Sequence, residues 1–123
     1  MKLNYYLSGL IIFISASCNS QQKPDNDFDV SVTTPTFTTA KPVVMLDEAH
    51  HNIHTASGTY KPFAKLITND GYVVKPNSHP FTEELLKGVS ILVISNAKGG
   101  KNEKKYKPAF TEAECDAVSE WVK

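Results

Sequence analysis

Val43-Val44-Met45-Leu46 runs straight into Asp47-Glu48-Ala49-His50-His51-Asn52-Ile53-His54. Four consecutive apolar residues after Pro42 read as a short strand covered on both faces, because a strand with one wet face alternates instead. A polar, His-rich turn leaves its carboxyl end. Downstream, Tyr60, Phe63, Ala64 and Ile67 keep the i, i+3, i+4, i+7 spacing of an amphipathic helix. Pro62 suits its first turn and Gly71 its C-terminal cap. Tyr72-Val73-Val74 reads as a second strand. Phe81 to Leu86 reads as a short helix with Thr82 as N-cap and Phe81 and Leu86 as a hydrophobic staple, ended by Gly88. Ile91-Leu92-Val93-Ile94-Ser95 is a third strand. Thr111-Glu112-Ala113-Glu114 is a capping box that opens a last helix, whose apolar face would be Cys115, Val118, Trp121 and Val122.

The pattern βαβαβα predicts an α/β fold with a parallel sheet and right-handed crossovers. The expected architecture is a three-layer, flavodoxin-like sheet of order 2-1-3. Residues 41–123 give it only about 80 residues, the lower margin for a self-sufficient core. In that order Ile91 to Ser95 is an open apolar edge, an aggregation risk unless another strand pairs with it. The expectation is therefore a domain truncated before a fourth strand, or one whose partner completes the sheet edge.

Ligands of open α/β sheets bind beyond the carboxyl ends of the strands. Three of the four His residues sit there, with Asp47, Glu48 and Asn52. His50 and His54 are four apart, so a helical turn would place both on one face. With Asp47 or Glu48 they would offer a divalent metal two imidazoles and a carboxylate. The alternative is that the turn's polar side chains hydrogen-bond loop backbone. Asn96, after the third strand, would reach the turn from the same rim. Gly99-Gly100, among Lys98, Lys101, Lys104, Lys105 and Lys107, either presents N–H groups to an anion or is a solvated loop. His79 reads as exposed. Asp47-Glu48-Ala49-His50 spells a helicase box, but no phosphate-binding loop accompanies it. No G-x-S-x-G elbow occurs, and Cys115 reads as a core residue.

Before the strand lies an address. Lys2 precedes the apolar run Leu7 to Ile14, and Ser15-Ala16-Ser17 leads into Cys18. This is a secretory signal pattern, too short for a comfortable membrane span. The Cys after small residues is similar to a bacterial lipobox, with Ser15 where Leu is usual. The expected layout is a signal peptide over 1–17, a lipidated Cys18 with a disordered tether over 18–40, and the folded part over 41–123. Polar Asn19 to Asp27 and Thr-rich Ser31 to Thr39 bury too little to offset chain entropy. Thirteen lysines balance 13 acids, net charge is +0, and no Arg occurs, which argues against nucleic acid as a partner. Two Cys rule out a disulfide-stapled miniprotein.

The stretch from Val43 to His50, with His54-Thr55 and Gly58-Thr59-Tyr60-Lys61-Pro62-Phe63, resembles the opening of a bacterial domain family of unknown function. That family belongs to the class I glutamine amidotransferase-like superfamily. The likeness continues in Asp70 to Val74, Phe81-Thr82, Leu92 to Ala97 and Phe110 to Glu114. It implies a flavodoxin-like sheet with a further strand after Lys123. It carries no nucleophile over, since Cys115 does not match the elbow of true amidotransferases.

Together these readings predict an envelope lipoprotein, membrane-anchored on a periplasmic or surface face. Its domain would be non-catalytic, with a binding or structural role for a small-molecule or protein ligand. Asp47, Glu48, His50, Asn52, His54 and Asn96 would be the contacts. The alternative is a metal-dependent hydrolase using His50, His54 and Asp47.

Overall fold

The computed structural model describes residues 22–100 and 107–123. The leader, Cys18, Lys101, Lys104 and Lys105 lie outside the described residues. The chain runs β1 (Val43–Asp47), α1 (Lys61–Asn69), β2 (Val73–Asn77), α2 (Glu83–Leu86), β3 (Ile91–Val93) and α3 (Glu112–Val122). All pairing is parallel, in the order β2-β1-β3. Val43 to Asp47 stand opposite Val73 to Asn77, and Val44 to Leu46 opposite Ile91 to Val93. This is the expected α/β, flavodoxin-like arrangement.

The central strand explains its own sequence. Val44, Met45, Leu46 and Asp47 are all buried, because helices cover both faces. Met45 joins Phe81, Leu86 and Ala117 in a core that Leu92, Val118 and Trp121 extend, so α2 and α3 share one face. Val44 and Leu46 alternate to the other face, toward α1. Thr82 caps α2 by accepting from the Leu85 N–H, and Phe81 and Leu86 are both buried as the staple reading requires.

Two elements differ from expectation at their edges. The second strand continues through Lys75-Pro76-Asn77. Pro76 is tolerated because β2 is an edge strand. The third strand stops at Val93, and Ile94 is 43% exposed.

The apolar face of α3 is a correction. Glu114 and Ala117 are its buried residues, whereas Cys115 is exposed and Val122 is 70% exposed. The helix is turned so that Glu114 points inward. Hydrophobicity alone favours Cys115 and Val122, but the hydrogen bonds of Glu114 set the rotation.

Residues 30–37, whose composition reads as tether, run against the end of α1. The Val30 carbonyl accepts from Asn69, the Thr36 N–H donates to the Asp70 carboxylate, and the Phe37 N–H donates to the Asp70 carbonyl. The Phe37 ring meets Tyr72 edge-on at 4.8 Å. Phe37 supplies apolar area that the Thr and Ser count conceals.

Gly71 sits at this junction with φ +100°, and a Cβ there would collide with the Phe37 carbonyl. Gly88 has φ +77° but open space around it. Gly71→Ala is therefore expected to cost about 2–4 kcal/mol, and Gly88→Ala only about 1 kcal/mol of left-handed strain. Urea unfolding of the two variants checks this; equal losses would mean that residues 30–37 do not hold the corner.

Candidate functional site

The turn after β1 is built around Asp47, which is fully buried at the strand's carboxyl end. One carboxylate oxygen accepts from the Ala49 N–H at 3.1 Å, which closes a local turn. Both oxygens lie 2.9 Å from His50 Nδ1. Asn52 donates to Asp47 at 3.0 Å and to the Ser95 carbonyl at 3.1 Å, tying the turn to the end of β3. Its own amide oxygen accepts the His50 N–H. The Lys98 N–H donates to the His50 carbonyl.

The other ring nitrogen of His50 lies 2.7 Å from Glu114 Oε1, across 64 residues of sequence. That oxygen also accepts the Phe81 N–H at 3.1 Å. Glu114 Oε2 meanwhile serves the capping box, accepting the Thr111 N–H and hydroxyl at 2.9 and 2.8 Å. One glutamate thus caps α3, fixes the entry to α2 and grips the β1 turn. The His50 ring is packed between Phe81 and Phe110, with centroids at 5.0 and 4.6 Å. Each ring nitrogen faces a carboxylate. The arrangement is a buried carboxylate–imidazole–carboxylate bridge.

Burial pushes the Glu114 carboxyl up. Hydrogen bonds from Thr111, His50 and Phe81 outweigh it and bring the group down to about 2.

His54 belongs to a second cluster. Its Nδ1 lies 2.6 Å from the Thr59 hydroxyl and its Nε2 3.3 Å from the Asn96 amide nitrogen. The ring stacks on Tyr60 at 4.6 Å and 9°. The Tyr60 hydroxyl accepts from Ser95. Asn96 and His51 both hold positive φ, 51° and 53°, where the loops double back over the rim.

The predicted residues therefore divide. Asp47, His50 and Asn52 come together, and Asn96 reaches the turn through His54. Glu48 turns away and accepts the Ala56 N–H at 2.7 Å. His50 and His54 do not share a face, because residues 47–54 form bends and no helical turn. Each ring already has partners on both nitrogens. Among the described residues no group of three or more His, Cys, Asp or Glu is arranged to hold a metal ion. His50, His54 and Asp47 are not brought together as such a group.

Sequence reading missed Glu114 as a partner of His50. Its capping-box position was visible, and a capping glutamate needs only one oxygen for that task. The free second oxygen was the available signal.

A different feature flanks this bridge. An open recess of about 550 Å³ is lined chiefly by Phe81, Ile94, Phe110, Cys115, Val118 and Val122. Glu114 borders it, and its oxygens are occupied inward. Comparison with known proteins finds no match among protein families, curated proteins or solved structures.

Removing one member of a buried, hydrogen-bonded charge set leaves the others uncompensated, at about 3–5 kcal/mol. His50→Ala and Glu114→Ala should each lose that much in urea unfolding. A loss below about 1 kcal/mol would show that the bridge does not hold α3 in place. The lowered Glu114 carboxyl contributes stability above its ordinary value of 4.5, and this is lost as pH falls through about 2. The urea midpoint of the wild type should decline across that window, and that of Glu114→Gln should decline less. Equal slopes would remove Glu114 as the acid-sensitive group.

Proposed function

We propose that the chain is an envelope lipoprotein whose α/β domain binds a partner and performs no chemistry itself. The His-rich turn braces the binding surface, and the recess beside α3 is that surface. The observation that carries this reading is how the rim's polar groups are used. Both nitrogens of His50 and of His54 are engaged within the domain. Among the described residues every buried side-chain nitrogen or oxygen has a partner. A general base needs a nitrogen or oxygen facing substrate, and the rim offers none from its buried set. The apolar recess, by contrast, is open, and a contiguous exposed apolar surface marks an interaction site.

The anchor rests on the leader pattern and Cys18. The likeness to the amidotransferase-like superfamily supplies a fold and no nucleophile. No helix among the described residues is long and apolar enough to cross a membrane; attachment in this reading is through lipid at Cys18. Cys18→Ser should move the protein from the membrane to the soluble fraction of cells; retention in the membrane would reject the anchor.

Binding is tested at the recess. Ser119 lines it from the exposed side of α3. A photo-crosslinking residue at position 119 should give a discrete adduct in intact cells. The double substitution Cys115→Lys and Val122→Lys should abolish it with unfolding unchanged, since both positions are exposed. Absence of any adduct in the parent would reject the binding reading.

A further inference from the structure

Residues 25–37 form an arm fastened along α1. At the first turn of the helix a small cleft of about 40 Å³ is lined by Asp25, Phe28 and Val30 of the arm and by Lys61, Pro62 and Lys65 of α1. Asn69, at the last turn, donates to the Val30 carbonyl. Asp70 accepts the Thr36 N–H on its carboxylate and the Phe37 N–H on its carbonyl. Phe37 then meets Tyr72 edge-on. The arm thus follows α1 from its beginning to its end before the chain enters β1.

This fixes where a chain coming from Cys18 meets the domain. Asp25 is seven residues beyond Cys18, and seven residues reach at most about 25 Å whatever their conformation. A domain of about 100 residues has a radius of gyration of about 13 Å and is about 30 Å across. A leash shorter than the width of the body it holds does not let that body turn over.

The leash and the recess are on opposite layers. β2 and β3 flank β1 on its two sides, so crossovers of one hand put α1 and α2 on opposite faces of the sheet. The core of Met45, Phe81, Leu86 and Ala117 holds no residue of α1. The recess belongs to that second layer, between Phe81, Phe110 and the Cys115–Val118–Val122 side of α3.

The α1 side has the chemistry of a lipid interface. Lys61 and Lys65 stand one turn apart and are both exposed. Phe28, beside them, is 51% exposed. Lysine stems and aromatic rings suit the boundary between headgroups and hydrocarbon, where one end is apolar and the other wet. Asp25 shares this place with the lysines, so charge alone gives the face no strong attraction to anionic lipid. The leash supplies the proximity.

We propose that the short leash from Cys18 sets the outer side of α1, with Phe28, Lys61 and Lys65, on the headgroups of the membrane that holds the lipid anchor, and so turns the recess beside α3 away from the bilayer. This rests on the lipoprotein reading and adds the face that the lipid surface covers.

The test uses the lipidated protein in vesicles of phosphatidylethanolamine and phosphatidylglycerol, with a nitroxide on the headgroups of part of the lipid. A fluorescent amino acid is incorporated at position 65 or at position 119, both exposed. Quenching is expected to be severalfold stronger at 65 than at 119. A Gly-Ser insert of about 30 residues between Gln22 and Lys23, with a root-mean-square span of about 30 Å, should bring the two positions close to equality. The urea midpoint should not change, since the insert precedes the fastened arm. Equal quenching at the two positions in the parent, or stronger quenching at 119, would overturn the proposal and leave the anchor standing. A difference undiminished by the insert would overturn the leash as its cause. Cys18 without diacylglycerol by mass spectrometry, in a protein that does not sediment with vesicles, would reject the anchor itself and the proposal with it.

Discussion

The fold depends on one buried bridge, Asp47–His50–Glu114. Asp47 ends the central strand, His50 lies in the turn after it, and Glu114 opens the last helix. A three-stranded sheet of this size has little apolar area with which to fix its helices. α1 gains additional contacts from residues 30–37, whereas α3 adds this bridge to the core it shares with Met45, Phe81, Leu86 and Leu92. The bridge therefore has a task that a hydrophobic contact would do less specifically. Each carboxylate oxygen and ring nitrogen accepts a single arrangement, so the rotation and height of α3 are set together. The cost of dehydrating the three groups is offset by the Thr111, Phe81, Ala49 and Asn52 donors around them.

The same bridge explains why α3 exposes apolar residues. A helix free to choose its face would bury Cys115 and Val122 with Val118 and Trp121. Glu114 is directed inward instead, and a helix cannot present both faces to one core. Cys115 and Val122 thereby line an open recess. Polar specificity on one side of the helix and exposed apolar surface on the other are consequences of a single rotation.

Most of the architecture was legible because it rests on local signals. The uninterrupted Val43 to Leu46 run, the Pro62 and Gly71 punctuation, and the caps at Thr82 and Thr111 each act within a few residues. The strand order followed from chain connectivity. What was not legible involved contacts distant in sequence. His50 and Glu114 are 64 residues apart, and nothing in either local pattern records that the spare oxygen of a capping box meets an imidazole. The His50 and His54 spacing suggested a shared face only if the turn were helical. The positive φ at His51 and the Asx-type turn at Asp47 rule that out, and both arise from the crowded exit of a buried strand. Phe37 was hidden among Thr and Ser residues because composition averages over the one side chain that docks.

Open α/β sheets usually carry their ligands at the carboxyl ends of the strands, where loops diverge and polar groups remain free. Here that rim is closed by its own side chains. Asn52 ties the His turn to the end of β3, Asn96 meets His54, and Ser95 meets Tyr60. A rim so engaged can hold the strand ends and loops in a fixed geometry, but a ligand could enter only by displacing bonds already made. The unsatisfied capacity of the domain lies instead at its flank, where apolar side chains of α3 line an open recess with Phe81, Ile94 and Phe110. Recognition is cheapest where groups lack partners, since no internal contact has to be given up. The polar rim and the apolar flank are thus complementary parts of one design: the first consumes its chemistry to fix α3, and the position of α3 gives the second its shape.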